Sequence, residues 1–184
     1  MISDAPHTPV GEPSEWVMRH AALIPAGEVL DLACGSGRHA HWLAARGWRV
    51  LALDRDPAAL GQAAGEGITT MAADLENGAP WPFLERVFEG IVVTNYLHRP
   101  LFPAILASLA PGGILIYETF ALGNAKFGKP SNPDFLLAPG ELLDAVRPTL
   151  HVIAYEDGYV ESPKPAMVQR ICARKLTDTG FTLD

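Results

Sequence analysis

The sequence holds only two cysteines, Cys34 and Cys172, in 184 residues. That is too few for a disulfide framework, and the expectation is two reduced thiols in a cytoplasmic protein. No apolar run approaches the roughly 20 residues of a membrane span, so no membrane partner is expected. The opening stretch MISDAPHTPVGEPSEW lacks a basic region followed by an apolar one, which predicts no secretory signal. Positive charge is scarce as well. Fourteen Lys and Arg stand against 21 Asp and Glu, a net charge of −7, which argues against broad, charge-driven binding to nucleic acid or anionic lipid. Repeats and low-complexity segments are absent. Among the six histidines, His39 and His41 are near in sequence. At i,i+2 on a helix they face apart, and no acid or cysteine completes a ligand set, so no metal is expected.

What is present is an alternation of short apolar runs with amphipathic segments. Residues 1–12 read as a flexible tail broken by Pro6, Pro9 and Gly11, and 13–184 as a single domain, a length that suits one core. Ser14 is placed to cap a helix over the stretch that follows it. EVLDLA is a strand buried on both faces, and GRHAHWLAARG a helix ending at Gly47 with Arg46 in its last turn. RVLALD is a second buried strand. Asp56 and Pro57 then cap and open a short helix. GITTMAAD and FEGIVVTN give strands three and four, each ending in a polar residue.

RPLFPAILASLA carries Phe102, Ile105, Leu106 and Leu109 on one stripe of a helix. Pro111-Gly112-Gly113 turns the chain into strand five, ILIYETF. A polar loop over 121–138 follows, long enough to suspect function, and then a helix from PGELLDAV. The last two runs, LHVIAYEDGYV and AMVQRICARKL, are joined too tightly for a parallel crossover and predict an antiparallel hairpin. The expected fold is therefore α/β: a doubly wound, mostly parallel, seven-stranded Rossmann-like sheet with an antiparallel last strand. Ligands of such sheets lie at the carboxyl ends of the strands, which directs attention to Asp31, Asp54, Asp74, Asn95 and Glu118.

The stretch VLDLACGSGRHA fits the dinucleotide pattern G-x-G-x-x-(G/A) through Gly35, Gly37 and Ala40. Asp31 argues for a different ligand. A pyrophosphate wants amide N–H groups and positive potential, and a carboxylate beside it in a poorly screened site costs several kcal/mol in order-of-magnitude terms. A ligand with an ammonium and a sulfonium but no phosphate, such as S-adenosylmethionine (SAM), reverses the sign. Asp54 suits either ligand, since it accepts from both ribose hydroxyls. Asp74 favours SAM by accepting from the adenine amino group while the Leu75 N–H donates to a ring nitrogen.

Taken together, VLDLACGSGRHA, VLALDRDPAAL, AADLE, IVVTNYL and LAPGGILIYETF resemble the class I SAM-dependent methyltransferases over about residues 25–175. Ala33 stands where the first glycine of that family's motif is usual. The size and the stretch NPDFLLAPGEL are also similar to small bacterial methyltransferases of the tellurite-resistance type. The resemblance implies that Asp31 faces the methionine amine, that Ala33, Gly35 and Gly37 form the loop against the cofactor, and that Asp54 with Arg55 holds the ribose side. It implies that Asp74 and Leu75 hold adenine and that Asn95 and Tyr96 line the sulfonium side.

The acceptor is less legible. His98, Tyr96 and Glu118 are the candidate catalytic residues: a base, an aromatic wall and a carboxylate on an otherwise apolar strand. Asn95-Tyr96 lacks the Pro-Pro of amide and base N-methyltransferases. With few residues before strand one or after strand five, no separate recognition domain is expected, which favours a small-molecule acceptor. A methyltransferase of protein or RNA and a non-catalytic SAM-binding subunit are the alternatives, and oligomeric state stays open. Lys126, Phe127, Lys129 and Phe135 in the 121–138 loop read as a solvated loop or as a cover over the substrate.

Overall fold

The structure, a computed structural model, describes residues 11–177. The expected tail over 1–12 falls almost wholly on residues outside that range. The chain begins its regular structure with α1 (Glu15–His20). Ser14 accepts the Trp16 N–H there and satisfies one of the orphan donors of the first turn, as its side chain predicts. The Trp16 indole donates to the Ile171 carbonyl and pins this helix on the sheet.

Seven strands form that sheet: β1 (Glu28–Leu32), β2 (Arg49–Asp54), β3 (Ile68–Ala72), β4 (Phe88–Thr94), β5 (Leu109–Phe120), β6 (His151–Val160) and β7 (Ala166–Arg174). Their order is β3-β2-β1-β4-β5-β7-β6. The first five pair in parallel, while β7 runs antiparallel to both β5 and β6. The order reverses between β1 and β4, and the crevice at their carboxyl ends is the expected ligand seat of such a sheet.

Helices α2 (Arg38–Ala44), α3 (Pro57–Ala63), α4 (Phe102–Ala107) and α5 (Glu141–Val146) complete the layers. Strands β1, β2, β4 and β5 are apolar on both faces, as buried parallel strands require, while β3 and β6 at the two edges are partly exposed. Val29, Val92, Ile114 and Ile116 join Trp16, Leu43 and Leu60 in one core, on the side of α1, α2 and α3. Leu30, Ile91, Leu115 and Tyr117 join Phe102, Leu142 and Val146 in the other.

Four boundaries differ from the sequence reading; the first is α4, which stops at Ala107, so that Leu109 opens β5 instead of completing the helix stripe. Helix α2 stops at Ala44, and Arg46 instead donates to the Trp42 carbonyl and lies 3.7 Å over the Trp42 ring, while Gly47 turns the chain at φ 96°. Asp74 lies two residues past the end of β3 rather than on it. The Pro111-Gly112-Gly113 turn lies within β5: Phe88 faces Leu109 but Gly90 faces Ile114, so the extra residues form a bulge. The loop over 121–138 is tied back by Leu122, whose N–H donates to the Leu137 carbonyl, by Leu137, whose N–H donates to the Phe120 carbonyl, and by the buried Asn124.

Candidate functional site

The loop between β1 and α2 is shaped by three positive-φ residues, Ala33 (54°), Gly35 (54°) and Gly37 (80°). The two glycines serve different purposes. A Cβ at Gly35 meets nothing within 4 Å, so that backbone faces open space. A Cβ at Gly37 would stand 2.6 Å from the Ala63 Cβ, so the position is kept bare by the contact of α2 with α3. Cys34 donates its N–H to the Leu53 carbonyl and Gly35 to Asp54 Oδ2 at 2.8 Å, which holds the loop against the end of β2.

Asp31 is 1% exposed and its Oδ2 has no hydrogen-bond partner. Burial, with Asp54 adding a like charge, raises its pKa from the ordinary carboxylate range to about 7, against the opposing pull of the Ala40 amide and the Arg38 charge.

Asp54 ends β2 and accepts from two amides, Gly35 at Oδ2 and Asp56 at Oδ1 (3.0 Å). Each carboxylate oxygen retains a second lone pair for a ligand donor. Asp74 Oδ1 accepts the Glu76 N–H at 2.9 Å, and the Ala73 N–H reaches the Asp54 carbonyl, so the segment after β3 runs alongside β2. Asn95 follows β4 at φ 55° and donates its N–H to the Glu118 carbonyl.

These ends enclose a cavity of about 250 Å³ lined by Ala33, Leu53, Asp54, Arg55, Ala73, Asp74, Leu75, Glu76, Asn95 and Tyr96. Seven of the sequence-derived cofactor residues therefore share one wall, and Asp31, Gly35 and Gly37 lie outside that lining. The three catalytic candidates separate. Tyr96 lines the cavity. His98 precedes a 3₁₀ turn over Arg99–Leu101 and is not part of the lining. Glu118 is also outside it and already engaged: Ser14 Oγ donates to its Oε1 at 2.9 Å and Arg170 reaches Oε2 at 3.3 Å. Its polar character on an apolar strand is thus met by partners from α1's cap and β7.

Sequence reading missed Ser14 and Arg170 as those partners, and Glu76 as a wall of the cavity. It also missed Arg99, which joins Glu141 in an ion pair and donates to the carbonyls of Asp134 and Leu136, tying the segment after β4 to the 121–138 loop. An arginine beside Pro100 carries no spacing signal for a partner 42 residues away. His39 is buried, accepts the Ser14 N–H at 3.1 Å, and has its pKa lowered by burial to about 3, so it stays neutral.

Comparison with known proteins adds a family and several relatives. Residues 29–113 match the family described as a methyltransferase domain. Protein-L-isoaspartate O-methyltransferase of Chlorobaculum tepidum is 33% identical over 106 residues, covering 55% of this chain and 48% of that protein. The chain spans about half the length of the curated relatives it matches, 48% and 54% for two of them. Among solved structures, TehB from Haemophilus influenzae superposes with a TM-score of 0.70 at 19% identity, over 88% of this chain and 61% of that one. The glycopeptide N-methyltransferase MtfA, solved with SAM, gives a TM-score of 0.62 at 20% identity, over 89% of this chain and 93% of that one.

Proposed function

We propose that the chain is a class I SAM-dependent methyltransferase that transfers the methyl group of SAM to a small-molecule acceptor; the match of residues 29–113 to a methyltransferase domain and the fold shared with TehB support this reading. The observation that carries the cofactor reading is the unpartnered Oδ2 of buried Asp31, on the strand that leads into the Ala33 loop at the cavity's edge. An ammonium group satisfies that oxygen and a phosphate does not. Asp31 is assigned to the methionine amine and the open face of Gly35 to close approach of the same end. Asp54 is assigned to the ribose hydroxyls, with Arg55 beside it, and Asp74 and the Leu75 N–H to adenine. Asn95 is assigned to the sulfonium side.

When bound, SAM supplies an electrophilic methyl with its own leaving group, so the protein's part is to position the nucleophile and exclude water. A thiolate needs no base, whereas a hydroxyl or ammonium must lose a proton. Glu118 is held by Ser14 and Arg170 and is not assigned to that task. His98, on the segment after β4, is the remaining candidate base. No helix among the described residues is long and apolar enough to cross a membrane.

The test is methyl-labelled SAM incubated with the purified protein and an extract of its host, separated by molecular size. The Asp54→Ala variant serves as control and is expected to weaken binding of SAM or S-adenosylhomocysteine about 100-fold, the effect of losing two hydrogen bonds to a charged group. Label in small molecules, lost in the variant, supports the reading. Label in protein overturns the acceptor assignment and favours the reading suggested by the isoaspartate methyltransferase relative; label in RNA overturns it likewise. SAM binding with no label above the enzyme-free level favours a SAM-binding subunit instead.

A further inference from the structure

Tyr96 has a hydroxyl that the fold leaves unused. Its oxygen is buried and has no hydrogen-bond partner, yet the residue lines the cavity with Arg55, Asp74, Leu75 and Glu76. The Glu76 carboxylate acts on the phenol through its charge and as a hydrogen-bond acceptor, although no contact to the hydroxyl reaches hydrogen-bond geometry. Burial first, and then Glu76 and Asp74, push the phenol's pKa well above its ordinary value. Tyr96 therefore keeps its proton, and it is a donor rather than a base.

The backbone around it is fixed by the end of the β4–β5 ladder and by one side-chain clamp. Asn95 turns the chain in the left-handed region, a conformation that Asn tolerates better than most residues. The Asn95 N–H is tied to the Glu118 carbonyl. From beneath, the hydroxyl of buried Tyr117 donates to the Tyr96 carbonyl at 2.8 Å, and Tyr117 itself lies against Phe102 at 5.7 Å between ring centroids. A strained turn and a buried clamp thus aim one side chain into a cavity and leave its donor unmet. An unmet buried donor is costly, and strain of this kind collects at ligand sites.

We propose that the Tyr96 hydroxyl is a recognition group for adenine, donating to a ring nitrogen, N3 or N7. Those are the acceptors left once Asp74 takes the amino group and Leu75 the neighbouring nitrogen. The inference rests on the cofactor reading given above, and it moves Tyr96 from the sulfonium side and the catalytic candidates to the residues that recognise adenine. It also separates this chain's segment after β4 into two parts: Asn95 turns, and Tyr96 reaches back toward the segment after β3.

The experiment is calorimetric titration of S-adenosylhomocysteine and its 3-deaza and 7-deaza analogues into wild-type protein and Tyr96→Phe. Phenylalanine keeps the ring and its packing, and a thermal melt of each protein checks the fold. Tyr96→Phe is expected to weaken S-adenosylhomocysteine about 5- to 10-fold, the size of one hydrogen bond. One of the two analogues is expected to bind wild type more weakly by a similar factor and to be indifferent to the substitution. Equal binding of S-adenosylhomocysteine by both proteins overturns the inference. So does a loss on Tyr96→Phe that is the same for all three ligands, because the hydroxyl would then meet the ribose. If folded wild type fails to bind S-adenosylhomocysteine at all, the cofactor reading falls and takes this inference with it.

Discussion

One face of the sheet carries buried polar groups at two places, and they are treated in opposite ways. Asp31 of β1 and Glu118 of β5 lie on the same side, since Asp31 pairs with Val92, Val92 with Ile116, and Glu118 follows Ile116 by two residues. Around Glu118 the row is closed. Arg170 stands between Glu118 and Glu156, Ser14 caps the other Glu118 oxygen, and Arg19 adds a second cation at Glu156. Around Asp31 the row is open, with an oxygen that has no partner and a cavity along the neighbouring strand ends. An acid given two partners is part of the scaffold, while a buried one denied a partner is, on the cofactor reading proposed above, the place for a ligand cation. Burial of charge alone does not separate the two cases; the state of its partners does.

Breaking the closed row is expected to have the larger effect on stability. The Arg170 and Glu118 side chains are 17% and 14% exposed, so Arg170→Ala leaves a largely buried carboxylate with only a hydroxyl. A loss of about 2 kcal/mol in urea unfolding is expected, below the range for fully buried pairs because water still reaches both groups. Glu118→Gln in the same background is expected to recover part of it. Binding of S-adenosylhomocysteine is expected to stay within about twofold. A tenfold fall in affinity would mean that the two rows are one unit.

The open row is tested by pH. Asp31 titrates near 7 in the folded chain and in the ordinary carboxylate range when unfolded. Between those values the folded state binds the extra proton, so this group's contribution to stability is present at low pH and is lost as pH rises through about 7. Cofactor affinity runs the other way, because an ammonium ligand needs the ionised form. S-adenosylhomocysteine is expected to bind about tenfold more tightly at pH 8 than at pH 6, the ratio of ionised fractions around a pKa of 7. Asp31→Asn is expected to bind more weakly and without this slope. A wild-type profile as flat as the variant's would show that no cation meets Asp31.

The open row was legible in the sequence and the closed one was not. Asp31, Asp54 and Asp74 sit at or near the ends of apolar runs, and a parallel sheet turns sequence order into neighbouring strand ends. Sequence position alone therefore brings Asp54, Asp74 and Asn95 to one cavity. The β6–β7 pairing was equally available, through the short join and the two apolar runs. The partners of Glu118 were not, because Ser14 and Arg170 lie 104 and 52 residues away and meet it only through the docking of α1 and the register of β7. Tyr96 was visible as a residue after β4, but its direction depends on the turn at Asn95 and the clamp from Tyr117, which no periodicity encodes. The segment 110–113 shows a further limit: its Pro-Gly-Gly signals a turn, and the neighbouring strand absorbs it as a bulge.

The smallest expected effect lies at the lip of the open row. Ala33 adopts φ 54°, a left-handed conformation in which an alanine costs about 1 kcal/mol relative to glycine. Ala33→Gly removes that strain, but it also frees the unfolded chain, a loss of about 0.4–1 kcal/mol. The two terms nearly cancel, so unfolding stability is expected to rise by no more than about 0.5 kcal/mol. Ala33 also lines the cavity, and deletion of its methyl removes one wall contact. Affinity for S-adenosylhomocysteine is therefore expected to change by less than about threefold, since a single buried CH₂-sized group is worth about 0.8 kcal/mol at most. A gain of a full kcal/mol in stability would place real strain at Ala33, whereas a large loss of affinity would show that its methyl group sets the position of the ligand. The outcome decides whether the open row is held ready by the loop's shape or by its charges.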